Sequence, residues 1–356
     1  MSQTATTKYP LPALGAQTER SAAAFAVAAL TVVVASAILA GFVPLAFSIV
    51  TVFLFAGPHN WVEFRYFISR MPARWGSLRA FFVTAITGVL TLTAAFIVLP
   101  ALARRYAWDG PALGAASSVW NSALVLWIAA LVALRDRDKL RRAAGRESAT
   151  ENAPANPWLL PMAVAWLLVA GVWLCPAAWD LGIVYLHPLI ALWFLDREIA
   201  RRRPAWQQTY RRCLLAIPAA LAVLWWRLAD SPPLVGDDML TMRITRHAGA
   251  EILTGISSHA LVATHTFLEM IHYGVWVVAI PLVAMRSAPW DLTDAPLSRR
   301  SPVWRTLIAA AAVGGLLIVL GLWGAFLVDY PLTRDVYFTV AIGHILAEAS
   351  FLLRLL

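Results

Sequence analysis

From Ser21 to Gly41 the chain carries no charged side chain, and apolar runs of comparable length recur almost to its last residue. A run of about 18–20 apolar residues is long enough to cross a bilayer as a helix. Within hydrocarbon every backbone N–H and C=O must be satisfied internally, which leaves only helices and closed barrels. A barrel requires short segments of alternating hydrophobicity, and the sequence has none. The expected fold is therefore all-α: a polytopic transmembrane helix bundle. A composition of 60% hydrophobic and 14% charged residues, with mean hydropathy +0.68, lies well outside the globular range and agrees.

Ten spans are expected, at about 21–41, 43–69, 77–102, 114–134, 157–175, 177–199, 210–229, 251–285, 303–328 and 334–355. The first 20 residues are polar and lack the basic stretch and short apolar core of a cleaved signal, so the first run reads as a retained helix behind a cytoplasmic tail. Residues 21–356 then form a single transmembrane domain, interrupted by a polar, flexible linker at 136–157. The eighth run is the longest and is expected to tilt or protrude. It opens with Glu251, an acid suited to a first helical turn.

The formal charge of +9 would suit nucleic acid if the cations formed a patch. They do not. With the N-terminus inside, all but six of the 29 Lys and Arg fall on one side; the six are Arg104, Arg105, Arg227, Arg243, Arg246 and Arg334. The positive-inside rule makes this a topology signal, with both termini cytoplasmic and no nucleic-acid partner. The expected location is the bacterial cytoplasmic (inner) membrane. Many of the 17 tryptophans, among them Trp61, Trp75, Trp158, Trp179 and Trp290, fall near expected span ends as an aromatic belt would. Trp276 and Trp323 are placed to line an apolar pocket. Cys175 and Cys213 show no paired spacing and read as small packing residues.

Against this apolar background, a histidine is followed four residues later by a glutamate three times: His59 and Glu63, His265 and Glu269, His344 and Glu348. Random placement of 7 His and 8 Glu in 356 positions gives about 0.16 such pairs. Residues i and i+4 share a helix face, so each pair sets an imidazole beside a carboxylate. The eighth span adds His272. At about 100° per residue, His265, Glu269 and His272 fall within about 60° of one another. Glu269 and His272 also have the i, i+3 spacing used by carboxylate-bridged metal bundles. Pro58 and Pro188 place His59 and His187 at expected kinks. His259 lies off the stripe, and His247, in the loop 230–250, reads as a surface residue.

A lone histidine in a membrane helix serves interhelical hydrogen bonding as readily as chemistry. The combined set favours function, because intramembrane ionisable groups are costly. Imidazoles mixed with carboxylates suit Fe, Mn or Zn better than Cu(I). The candidate metal ligands are His59, His187, His265, Glu269, His272 and His344, with Glu63, Glu269 and Glu348 as catalytic or imidazole-orienting carboxylates. Familiar alternatives fail on spacing: HExxH, a P-loop, GxGxxG and desaturase-like histidine boxes are all absent.

Several short patches resemble the Brp/Blh family. These are Gly57-Pro58-His59 with an acid four residues on, a mid-chain histidine, a helix with paired candidate ligands, and Gly343-His344 with Glu348 a turn later, followed by Phe351-Leu352-Leu353-Arg354. Members of that family are bacterial and archaeal membrane β-carotene 15,15′-dioxygenases, whose intramembrane histidines hold a nonhaem iron that cleaves a polyene to retinal. The resemblance implies iron ligation by His59, His187, His265, His272 and His344. Glu63 stands where the family has Asp, and His265-x-x-x-Glu269 where it has a His-x-x-x-His pair; the chain also has more spans.

The functional expectation is a membrane-embedded nonhaem metal-dependent oxidoreductase, dioxygenase-like, using O2 on a lipophilic substrate that enters from the bilayer lipids. Fe is favoured, with Mn or Zn as alternatives. The competing reading from a different class is a proton- or ion-coupled transporter or channel with the His/Glu pairs as a relay. A haem protein with axial histidines and a pure scaffold are further alternatives.

Overall fold

The computed structural model describes residues 13–144, 156–234, 236, 238–284, 292 and 295–356, with side chains from residue 21 onward and not at 142–144. All regular structure among them is helical. Among the described residues, eight helices are long and apolar enough to cross a membrane: Ser21–Phe42, Pro44–Arg70, Gly76–Arg105, Gly110–Arg141, Pro176–Arg202, Ser258–Ala284, Pro302–Val328 and Tyr330–Leu355. In chain order the α-helices are α1 (Ala13–Phe42), α2 (Pro44–Arg70), α3 (Arg79–Arg105), α4 (Gly110–Ala144), α5 (Leu159–Leu174), α6 (Pro176–Leu186), α7 (Pro188–Arg202), α8 (Gln207–Cys213), α9 (Ala216–Leu228), α10 (Met239–His247), α11 (Ser258–Gly274), α12 (Ile280–Ala284), α13 (Pro302–Val328) and α14 (Tyr330–Leu355).

Two expected spans are shorter than the sequence suggests. The run at 157–175 yields the 16-residue α5, about 24 Å of helix against a hydrocarbon core of about 30 Å. The run at 210–229 is split into α8 and α9 by a turn at Leu214–Leu215. Pro218 explains the break: its ring clashes with the carbonyl four residues back, that of Leu214, and Leu214 O instead accepts from Ile217 N at 3.1 Å.

The eighth run is shorter too. Residues 251–257 are turns, and α11 begins at Ser258, capped by the Ser257 hydroxyl. Glu251 is therefore not a first-turn acid; it is exposed and pairs with Arg246 at 3.1 Å. The expected flexible linker is helical through Ala144, and most of the rest of it, 145–155, lies outside the described residues, as do residues 1–12 of the tail, Arg286 and Trp290.

α11 is the central helix. It packs against α1, α2, α7, α9 and α10, and nearly every side chain from Ser258 to Tyr273 is buried. α14 joins this group to α3 and α4, and α13 covers α2. α1 and α13 instead present outward apolar residues such as Val27, Val34, Ile318 and Val328, the pattern of a lipid-facing surface. α3 and α4 meet closely at Gly88, where an added Cβ would lie 1.9 Å from Trp127 Nε1. Trp61 lies in the middle of α2, not in a belt, and donates to Ala312 O of α13 at 3.0 Å.

One end of the bundle is tied by Glu198. Its carboxylate accepts from the Tyr66 hydroxyl at 2.8 Å, from Arg70 at 2.8 Å and from Arg201 at 2.9 Å. α2 and α7 are thus fixed to each other below the histidines.

Candidate metal centre

α2, α11 and α14 deliver one histidine each to a common point, and the α6–α7 junction sets His187 beside them. Pro58 lies inside α2 and cannot donate to the carbonyl a turn earlier. The next two carbonyls take side-chain contacts: His59 Nδ1 lies 3.0 Å from Phe55 O, and Asn60 Nδ2 donates to Ala56 O at 2.9 Å. The bond to Phe55 O fixes the proton of His59 on Nδ1 and leaves Nε2 with its lone pair inward. His187 stands where α6 ends and Pro188 starts α7, and its Nδ1 approaches Ile183 O at 3.3 Å. The same logic frees its Nε2. His272 comes from the last full turn of α11, just before the π-helical turn Val275–Ala279. His344 comes from the middle of α14.

The rings meet edge to face. Centroids are 5.4 Å apart for His59 and His272, 5.1 Å for His59 and His344, 5.2 Å for His187 and His272, and 5.8 Å for His187 and His344. One ring nitrogen each from His59, His272 and His344 lies within 4.8 Å of the other two. His59 Nε2 and both nitrogens of His272 and His344 are buried without a hydrogen bond. Convergent, unpaired imidazole nitrogens are the donor set that borderline metals take, so these residues fit a metal ion.

Two of the expected carboxylates lie one turn further along their helices. Glu348 is fully buried, accepts from Trp276 Nε1 at 2.7 Å and approaches His272 Nε2 at 4.0 Å. Glu63 is 1% exposed with both oxygens unpaired. Glu348 thus stands beside His272, while Glu63 makes no hydrogen bond to an imidazole.

His265 and Glu269 are not brought to this point. The stripe they share with His272 is real, but His265 and His272 are two turns apart, about 10 Å along the axis. His265 packs instead against His247, with centroids 4.9 Å apart, and lies 3.9 Å from Glu269. His247 is therefore half-buried and not an ordinary surface residue. It ends α10, an amphipathic helix whose Leu240, Ile244 and Ala248 face the core. The signal for this was the apolar i, i+4, i+8 spacing behind Asp238, which caps the helix by accepting from Thr241 N at 2.8 Å. Burial, with His265 and Arg334 nearby, holds His247 well below the ordinary imidazole range.

His259 contacts Gly41 O of α1 at 3.2 Å, an interhelical bond away from the centre. Trp276 serves Glu348 and Trp323 donates to Phe53 O at 2.8 Å, and neither lines the cavity that the histidines border. Tyr273 is an addition that the sequence pattern did not single out. Its ring lies 4.4 Å from that of His59, and its hydroxyl donates to Glu269 at 2.8 Å.

All four histidines border a cavity of about 490 Å³. Its other walls are largely apolar, including Phe96, Leu99 and Pro100 of α3, Trp120 of α4, and Ile183 and Val184 of α6. At its rim Asp180 accepts from Ser117 at 3.1 Å and from Asn121 at 2.7 Å. A volume of this size accommodates a small organic ligand.

No protein-family profile, curated protein or solved structure matches the chain. Its site is read from its own geometry.

Proposed function

We propose that the chain is a membrane-embedded nonhaem metal oxidoreductase that uses O2 on a lipophilic substrate drawn from the bilayer. The observation that carries this reading is the convergence of His59, His272 and His344, with His187 beside them, on the floor of an apolar intramembrane cavity. An all-imidazole set suits iron or zinc. Iron supplies the redox chemistry that O2 needs, and the patches resembling the Brp/Blh dioxygenases support it over zinc.

The protein residues have separable tasks. The four imidazoles hold the ion from four different helices, so binding ties α2, α7, α11 and α14 together. Glu348, fixed by Trp276, orients His272 from behind, a role whose loss elsewhere costs roughly 10–100-fold in metal affinity, and Glu63 is a carboxylate available to relay protons. The apolar walls exclude bulk water and admit hydrocarbon.

Ten crossings, with both termini cytoplasmic in a bacterial inner membrane, complete the proposal. α5 and the α8–α9 pair make up the ten. Both carry outward apolar side chains, such as Leu160, Leu167, Leu215 and Trp226, and this count places most cations on one side.

The test is metal content per chain, by inductively coupled plasma mass spectrometry, on protein purified in mild detergent without chelator. About one equivalent of iron, lost in His272→Ala and in His59→Ala, is expected. Monodisperse wild-type protein without metal would move the reading to a His/Glu proton relay, which proteoliposome uptake would then report.

A further inference from the structure

The cavity has a second polar wall, which the metal reading does not use. His247 and His265 meet there, and Glu269 stands one turn below His265. Glu269 is engaged on one side only: Oε1 accepts from Tyr273, while Oε2 is buried without a hydrogen bond. Arg334, 3% exposed, lies behind this wall with its guanidinium 4.6 Å from the Phe338 ring. The other face of the arrangement is His247, 4.4 Å from the same ring.

A carboxylate oxygen without a donor, bordering an apolar cavity, calls for a donor from the occupant. The neighbouring imidazoles can supply an N–H to the same group. A hydroxyl meets both needs at once, donating to Glu269 Oε2 and accepting from His265 or His247. Charge narrows the choice further. The formal charges of Arg334 and Glu269 offset each other, so the wall does not select an anion, and the guanidinium opposes a second metal cation among His247, His265 and Glu269. Two helical turns, about 10 Å, separate His265 from His272, with Glu269 less than one turn from His272 between them, so one extended molecule reaches both the wall and the imidazoles.

We propose that His247, His265 and Glu269 bind the hydroxyl end of an otherwise hydrocarbon substrate, an inference that rests on the reading of the cavity as a lipophilic substrate site. The metal centre then meets the chain of a lipid alcohol, not a pure hydrocarbon.

Chain-matched probes test this with the full-length protein in nanodiscs. Tritiated 1-hexadecanol is bound and displaced by unlabelled 1-hexadecanol, hexadecane or hexadecanoic acid. The alcohol is expected to bind about tenfold more tightly than the hydrocarbon, the worth of one well-made hydrogen-bond pair. That preference should vanish in His265→Leu and in His247→Phe, with hexadecane binding retained as the sign that the cavity is intact. The second variant lies on α10, so the test survives if the first does not fold. Equal affinity for alcohol and hydrocarbon would overturn the hydroxyl anchor and leave the lipophilic cavity standing. Preference for the acid would also overturn it, in favour of an anion site built on Arg334. Binding of none of the three would overturn the lipophilic reading and this inference with it.

Discussion

Replacing Trp276 by Phe separates the support of the proposed metal centre from its candidate ligands. Trp276 is fully buried in the π-helical turn after α11, and its Nε1 is the one hydrogen-bond donor to Glu348 among the described residues. Phe leaves a buried carboxyl oxygen without its donor, which costs about 1–3 kcal/mol. The smaller ring leaves space whose cost is about 1 kcal/mol. The expected loss of stability is therefore about 2–4 kcal/mol. In a Glu348→Met background no acceptor is orphaned and the change also removes the indole N–H that Met leaves unpaired, so it should cost at most the packing part, about 1 kcal/mol. The coupling between the two positions is then at least about 1–3 kcal/mol. Equilibrium unfolding in mixed micelles titrated with a denaturing detergent, followed by circular dichroism, reads all four corners of the cycle. Metal affinity, measured by chelator competition on the single variants, should fall roughly 10–100-fold, because Glu348 stands 4.0 Å from His272. A coupling under about 0.5 kcal/mol is what independent sites give, and would refute the claim that Trp276 acts through Glu348.

Gly88→Ala should destabilise the protein by about 2–4 kcal/mol, because the new Cβ falls 1.9 Å from Trp127 Nε1, which donates to Thr84 O; Gly114→Ala, with nothing within 4 Å, should be neutral or stabilising in the same unfolding assay. His247, outside the eight long spans, has its folded pKa pushed below the unfolded value near 6.5. The folded state thus holds fewer protons than the unfolded one, and stability is intact above about pH 6.5 and falls as pH drops below it, by up to about 1.4 kcal/mol per unit. His247→Phe should remove that part of the acid slope, and an unchanged slope between pH 6.5 and 5 would count against the burial assigned to it. Orientation is open to thiol labelling in whole cells: a membrane-impermeant maleimide should reach Cys175 in a Cys213→Ala variant and miss Cys213 in a Cys175→Ala variant. The reverse pattern would invert the proposed topology.

The sequence was most readable where local chemistry and three-dimensional position coincide. Apolar length alone marks α2, α11, α13 and α14. His187 beside Pro188 falls at a real break, where α6 ends and α7 begins, whereas α2 runs through Pro58 without interruption. The metal set was less readable. Helical periodicity reports which face a residue occupies but not how deep it lies, so His265 and His272 appear as partners on a wheel while two turns of α11 hold them apart. His247 was hidden for a different reason. Pro232, Pro233 and the acids before α10 look like an exposed loop, and a nine-residue helix leaves little periodicity to detect. Glu269 fell to the second wall because Tyr273, an unremarked neighbour in sequence, holds one of its oxygens. Breaks such as Leu214–Leu215 depend on a single Pro218 within a run that remains fully apolar.

A purely structural role for the four histidines meets a physical difficulty. Structural histidines in membrane helices persist by hydrogen-bonding across an interface, as His259 does with Gly41 O. His272 and His344 make no such bond with either ring nitrogen, and His59 makes one only through Nδ1. Each unpaired buried group costs about 1–3 kcal/mol, and Glu63, with both oxygens unpaired, adds to the total. Apolar side chains would fill the same positions without that penalty, since replacing a buried polar set by shape-matched apolar groups is often neutral or stabilising. A cation that took the converging lone pairs would offset that penalty, so the proposed metal site accounts for the unpaired nitrogens of His59, His272 and His344 better than a purely structural role does.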